Sequence, residues 1–231
     1  MIYCYEDFVE ALLAAGFSMG GGSSQGIYGV ITWDWNQEPP YETPVRWHTG
    51  DRETDPWEWR MRVLEERDDI AYGKLFFQKS GFITKSWYPY FLAVRRQGRS
   101  LEEAYELGLI TRYAKRIYEA MEGQEAMALH ELKQAAAFSR EEAGKFDRAL
   151  VELQGKMFLT LCGRQRKRAK TGEEYGWSST VLCKTEDFFD PQVWEASLGI
   201  PAGEAEEKIR AQVLKLNPDA DAKKVMKFIR G

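Results

Sequence analysis

Cysteine and histidine are scarce in this chain of 231 residues: Cys4, Cys162 and Cys183 of the first, His48 and His130 of the second. An odd, widely spaced cysteine set is no disulfide framework, and with two histidines the spacing describes no zinc site. The residues predict no metal and no cofactor. Long apolar runs are lacking too. No window approaches the roughly 18–20 apolar residues of a membrane-spanning helix. The opening Met1-Ile2-Tyr3-Cys4-Tyr5-Glu6-Asp7 lacks the positive stretch and apolar core of a signal peptide. No membrane partner is expected, and the cytoplasm is the default location. Positive charge is in the minority, with 32 Lys+Arg against 36 Asp+Glu and a net charge of -4. That excludes a general nucleic-acid coat protein, so any grip on a polyanion must come from cations concentrated locally. What the chain does have is apolar material, 44% hydrophobic and 13% aromatic, enough for a substantial core in one large or two small domains.

The periodicities predict an α+β fold, mainly helical, with a winged helix-turn-helix and a small mixed N-terminal α/β region. Glu6 to Ala15 reads as a short amphipathic helix, broken by Gly20-Gly21-Gly22-Ser23-Ser24, which reads as a mobile loop. No Gly-Lys-Ser/Thr follows, so this is not a phosphate loop. Ile27 to Trp35 reads as a strand. Asp55-Pro56-Trp57-Glu58 is a helix start, with Asp55 as cap and Pro56 at the first helical position. Ile70 to Phe77 is the best strand of the first half, with Phe82-Ile83-Thr84 pairing back on it. Helices are predicted over Trp87 to Arg96 and from the Ser100-Leu101-Glu102-Glu103 capping box.

From Leu109 the order is clearer: three helices, the last opening at Ser139, then a strand over Met157 to Cys162, a cationic loop, and a second strand over Trp177 to Cys183. Helix, helix, helix, hairpin is the order of a winged helix. Two helices, Pro201 to Leu216 and Asp219 to Ile229, close the chain. The expected division is an N-terminal region over 1–108, a winged helix over 109–190 and a helical pair over 191–231.

Three features carry chemistry. At the hairpin tip Arg164, Arg166, Lys167, Arg168 and Lys170 fall within seven residues. In an acidic chain such a run is solvated and draws polyanions, and each phosphate contact releases counterions. A merely soluble loop, partly neutralised by Glu173 and Glu174, is the plain alternative. The third helix, with Glu141, Glu142, Lys145, Asp147, Arg148 and Glu152, is nearly balanced in charge and ill suited to reading base edges. The second feature is the segment Arg46 to Arg60, which gathers Trp47, His48, Asp51, Asp55, Trp57 and Trp59. Aromatics beside cations and carboxylates hold a base by stacking while a carboxylate positions water, and His48, Asp51 and Asp55 are the candidate catalytic residues. In the plain reading Trp57 and Trp59 anchor the helix and Asp55 caps it. The third is Lys74, placed by alternation on the face of Ile70, Tyr72 and Phe76. It either lies at a sheet edge with its stem packed or sits partly buried beside a carboxylate, which would perturb its pKa and mark a site. Cys162 and Cys183 lie on the two hairpin strands, placed to face each other, and read as two reduced core thiols.

The stretches Leu129-His130-Glu131-Leu132-Lys133, Phe146-Asp147-Arg148-Ala149-Leu150, Phe158 to Gly163 and Trp177 to Thr180 resemble the winged-helix proteins related to the DNA glycosylase AlkZ, also called the YcaQ family. Asp55-Pro56-Trp57-Glu58-Trp59-Arg60, Tyr72-Gly73-Lys74-Leu75-Phe76 and Tyr88-Pro89-Tyr90-Phe91 resemble the core that precedes the winged helix there. The likeness covers residues 45 to 190. It implies a DNA-binding architecture and removal of alkylated bases by N-glycosidic hydrolysis. Those glycosylases position water with a Gln-x-Gln motif, and this chain has none, so no catalytic residue carries over. Three readings therefore stand together: a DNA-binding, glycosylase-related protein gripping phosphates with the hairpin; a regulator that meets a protein partner through the third helix; and a hydrolase of small ligands using His48 to Asp55.

Overall fold

The computed structural model describes residues 1–168 and 174–231, with side chains left out over 166–177. Lys170 therefore lies outside the described residues, as do the side chains of Arg166, Lys167 and Arg168. The fold is mixed α+β. Ten α-helices and one six-stranded antiparallel sheet are described, in the order α1 (Tyr5–Ala15), β1 (Phe17–Met19), α2 (Pro56–Glu66), β2 (Ile70–Phe76), β3 (Lys79–Thr84), α3 (Tyr88–Arg95), α4 (Leu101–Glu106), α5 (Arg112–Glu119), β4 (Ala126–Ala128), α6 (Leu129–Ala135), α7 (Ala143–Gly155), β5 (Leu159–Arg168), β6 (Glu174–Lys184), α8 (Pro191–Leu198), α9 (Ala202–Leu216) and α10 (Ala222–Arg230). No described helix is long and apolar enough to cross a membrane.

The sheet runs β1-β3-β2-β5-β6-β4. Its first three strands come from the N-terminal region and its last three from 126–184. The two groups meet at a single bridge, Tyr72 opposite Leu161. On the far side β4 pairs with β6 through Ala126–Cys183, Met127–Leu182 and Ala128–Val181.

Three clusters fill the interior. One joins β1, β2 and α3 to α9 and α10 through Phe17, Phe76, Phe91 and Phe228. A second packs α4 to α7 against the hairpin around Ile117, Phe146 and Leu153. A third lies under α1 and α2 around Phe8, Trp59 and Phe82. The C-terminal helices thus build on the N-terminal half. Arg95 fastens that contact. Its guanidinium donates to the carbonyls of Phe228 at 2.7 Å and Ile229 at 2.9 Å, and to Leu75 and Gly155 at 2.8 and 2.9 Å.

Ile27 to Trp35 is not a strand. Its apolar side chains are buried as a strand's would be, with Ile27, Val30, Ile31 and Trp33 all inside. The backbone, however, spends its hydrogen bonds elsewhere: Val30 N–H donates to the Ser18 hydroxyl, and Asn36 N–H to the Asp34 side chain, which turns the chain. Buried apolar side chains on a backbone that joins no ladder give a buried loop. The sheet also gains two three-residue strands, β1 and β4, and α8 fills a stretch with no predicted element.

Lys74 does not share a face with Phe76. The β2–β3 register shifts between Gly73 and Phe76, so Ile70 and Tyr72 enter the cluster under α1 and α2 while Phe76 enters the one facing α10. A bulge inverts the facing of every later residue.

Candidate functional site

Asp55 is the local organiser. It is wholly buried, and its two carboxylate oxygens accept three backbone N–H groups, from Trp57 at 2.8 Å, His48 at 3.0 Å and Gly50 at 2.8 Å. The first of these caps α2. The other two fold the 48–51 loop back over the helix start and hold His48 in a left-handed conformation at φ 62. The lone pairs of Asp55 are thus engaged in shaping the loop. Asp51 is exposed and likewise turns the loop, accepting from Glu53 N–H at 2.7 Å.

The tryptophans of this segment part company. Trp59 is fully buried, stacked on Phe8 at 5.1 Å, with its ring N–H donating to the Arg52 carbonyl. It is core, and lines none of the described cavities. Trp57, two residues earlier and so on the opposite side of α2, is 42% exposed. The Arg60 guanidinium lies over its ring at 3.2 Å, tied by a 2.7 Å bond to the Trp57 carbonyl. The His48 ring lies 4.8 Å from it, and Trp35 extends the ledge, 6.0 Å from His48 and 6.3 Å from Trp47. Trp47 is half-buried, its ring N–H on the Trp33 carbonyl at 3.0 Å.

The ledge borders two connected cavities. One, of about 630 Å³, lies between the Gly20–Gly22 loop, Trp35, Trp47 and Trp57. The loop approaches Trp47 so closely that a side-chain carbon on Gly21, at φ 97, would fall 2.4 Å from the ring. The other, of about 640 Å³, runs from Trp57 and Arg60 across β2 to α7 and the base of the hairpin. Trp57, Arg60, Tyr72, Lys74 and Ser80 line both, so they open into one cleft, each part of which is within the size range of small-ligand sites.

Lys74 stands at the junction. It also borders a third hollow of about 420 Å³ beside Arg148 and Gly155. Its ammonium lies 3.3 Å from the Ser80 hydroxyl. Among the described residues no carboxylate pairs with it. Partial withdrawal from water, and then the charge of Arg60, hold its pKa below the ordinary lysine value. Its backbone is fixed by Gln154 of α7, whose buried side-chain oxygen accepts Lys74 N–H at 2.9 Å.

Asp147, Leu150, Val151 and Gln154 of α7 form the opposite wall. Glu152 caps α5, accepting from Thr111 N–H at 3.0 Å and its hydroxyl at 2.6 Å. Glu142 faces Arg116 at 3.6 Å. Arg164, at the near end of the cation run, is turned back onto α2, 2.5 Å from Glu65 and 3.7 Å from Glu58. Of the residues singled out in the sequence, Trp47, Trp57, Lys74 and Arg164 line the cleft and His48 abuts its rim, whereas Asp51, Asp55 and Trp59 build the frame. The glycine loop, Trp35 and Gln154 join the site without a local signal, because each reaches it through a tertiary contact. Cys162 and Cys183 are free thiols on the two hairpin strands, and the neighbouring Cys162 thiol, followed by burial, pushes Cys183 up.

Among the described residues no group of three histidine, cysteine or acidic side chains is arranged to hold a metal ion. Compared with known proteins, residues 2–230 match the model of a family described as AlkZ related. No curated protein and no solved structure matches the chain.

Proposed function

The chain belongs to the AlkZ-related family, and from that premise we propose that it is a DNA-binding protein of the repair-glycosylase kind, seating a duplex between its hairpin and its cleft. Residues 109–190 are read as a winged helix. In support, α5, β4, α6, α7, β5 and β6 follow the helix–strand–helix–helix–strand–strand order, share one core cluster and close with β4 on the outer side of β6.

One observation carries the reading. In a chain of net charge -4, Arg166, Lys167, Arg168 and Lys170 fall at and between the far ends of β5 and β6. Arg164 belongs instead to the cleft wall, its charge spent on Glu65 and Glu58. The remaining four cations are assigned to phosphates. The third helix has little left for base reading, since Glu152 and Gln154 serve internal contacts and Asp147 and Val151 face the cleft.

The cleft is assigned to one unstacked nucleotide. Trp57, exposed and backed by Arg60, offers a stacking face, and base–aromatic stacking contributes about 1–3 kcal/mol per base. The reaction class is hydrolysis of the N-glycosidic bond of an alkylated base, with His48, held by Asp55, and Asp51 on the rim.

Replacing Arg166, Lys167, Arg168 and Lys170 by Gln tests the binding mode by fluorescence anisotropy across a salt series. Each lost phosphate contact should flatten the log–log salt slope by about 0.9. An unchanged slope contradicts it. Alkylated duplex, incubated with the protein and then treated to cleave abasic sites, tests the reaction. Scission above background supports hydrolysis; intact binding without scission points to a non-enzymatic regulator.

A further inference from the structure

We propose that Lys74 is a nucleophilic amine that captures the aldehyde of an abasic deoxyribose as an imine, an activity that rests on the DNA-binding reading above. The lysine is placed for it in three respects. It is the one side chain common to the three described cavities around α2, β2 and α7, so a group entering the cleft from the ledge or from the hairpin base meets it. Its ammonium has a hydroxyl partner, Ser80 at 3.3 Å, and among the described residues no carboxylate to hold its proton. Its charged neighbour is Arg60, itself fixed on Trp57.

A lysine beside another cation and partly withdrawn from water loses its proton more readily than a free one, which is how amines are activated for attack on carbonyls. The direction of the Lys74 shift agrees with that chemistry. Lysines whose function is only to hold phosphate keep their proton, and a paired surface lysine is stabilised in the charged form.

The aldehyde is identified by the neighbouring surfaces. Trp57 offers the stacking face assigned above to the unstacked nucleotide, which leaves that nucleotide's sugar in the cleft that Lys74 lines, and Arg60 and Lys79 border the same cavity with charge for the adjoining phosphates. A glycosidic bond broken at this cleft leaves a sugar whose ring-opened form carries an aldehyde at C1′. The neutral Nζ adds its lone pair to C1′, giving a carbinolamine. That species expels its hydroxyl as water and leaves a C1′=Nζ bond. The balance is amine plus aldehyde giving imine plus water, with no oxidant or reductant consumed. Hydrolysis reverses it.

Full-length protein is incubated with an end-labelled duplex carrying one abasic site in the presence of sodium borohydride, which reduces an imine to a stable amine. A covalent protein–DNA band, mapped by peptide mass spectrometry to Lys74 and reduced to background in Lys74→Arg, is the expected result. Lys74→Arg keeps the charge and substitutes an exposed side chain, so its thermal midpoint should match the parent's. A duplex carrying a tetrahydrofuran analogue, which has no aldehyde, should bind but give no band. A band that maps to Lys79 or the N-terminus, or binding without any band, overturns the proposal and leaves the DNA-binding reading standing. Failure to bind any of the duplexes overturns both.

Discussion

Three backbone N–H groups converge on the carboxylate of Asp55, and that single side chain decides where Trp57 and His48 point. Truncating it leaves a helix end uncapped and two loop donors unsatisfied. Asp55→Ala is therefore expected to cost at least about 3 kcal/mol, since cap removal costs about 1 kcal/mol and each of the two unpaired donors at least about 1 kcal/mol, and urea unfolding measures it. A cost below that of an ordinary surface substitution would mean the loop is held by something else. Gly21→Ala should lose stability as well, because its backbone sits at φ 97 and the added carbon would strike Trp47. The Asp55-Pro56 cap was legible in the sequence because a cap is a local signal. The two further donors were not, because they arrive from a loop whose course no local pattern encodes. Trp57 and Trp59 show the same limit. Their spacing puts them on different sides of a helix, but only the packing of Phe8 says which side is the core.

Among elements, α2 is held by charge on one side and by apolar packing on the other. Arg62 donates to Glu66 at 2.8 Å and to Glu53 at 2.7 Å. The hydrogen bond from Arg62, with a second from Arg52, keeps the Glu66 carboxyl below the ordinary range. A depressed carboxylate pKa contributes stability that is present above the unfolded value and lost as pH falls through the folded one. Glu66→Gln should thus lower the unfolding free energy at neutral pH by no more than about 1 kcal/mol for so exposed a pair, read as a lower melting midpoint. The gap to the parent should close as pH falls below about 4; a gap that persists in acid would assign the effect to packing. Arg95 fastens α10, α7 and β2 together, and Arg95→Met strands four carbonyls. It should cost at least about 3 kcal/mol and raise hydrogen exchange in α10 first. The longer helices and the β2, β5 and β6 strands were legible from periodicity. β1 and β4, three residues each, were too short to show alternation, and the bulge at Gly73 to Phe76 reversed the facing of Lys74 relative to Phe76.

At the scale of the molecule, the sequence resemblance over residues 45 to 190 understated the relation, for the family match runs over residues 2–230. The N-terminal region and the helices after the hairpin are part of the same fold, with α9 and α10 packed in the core cluster of β1 and β2. The cleft and the hairpin are the surfaces proposed to meet DNA, and hydrogen–deuterium exchange of the whole chain with and without a short duplex tests this most directly. Binding should slow exchange in three stretches: the hairpin strands, Trp57 to Arg60, and Gly73 to Ser80. The helices α8 to α10 should be unaffected. Protection concentrated on α8 to α10, or none at a DNA concentration that saturates the anisotropy signal, would contradict the account.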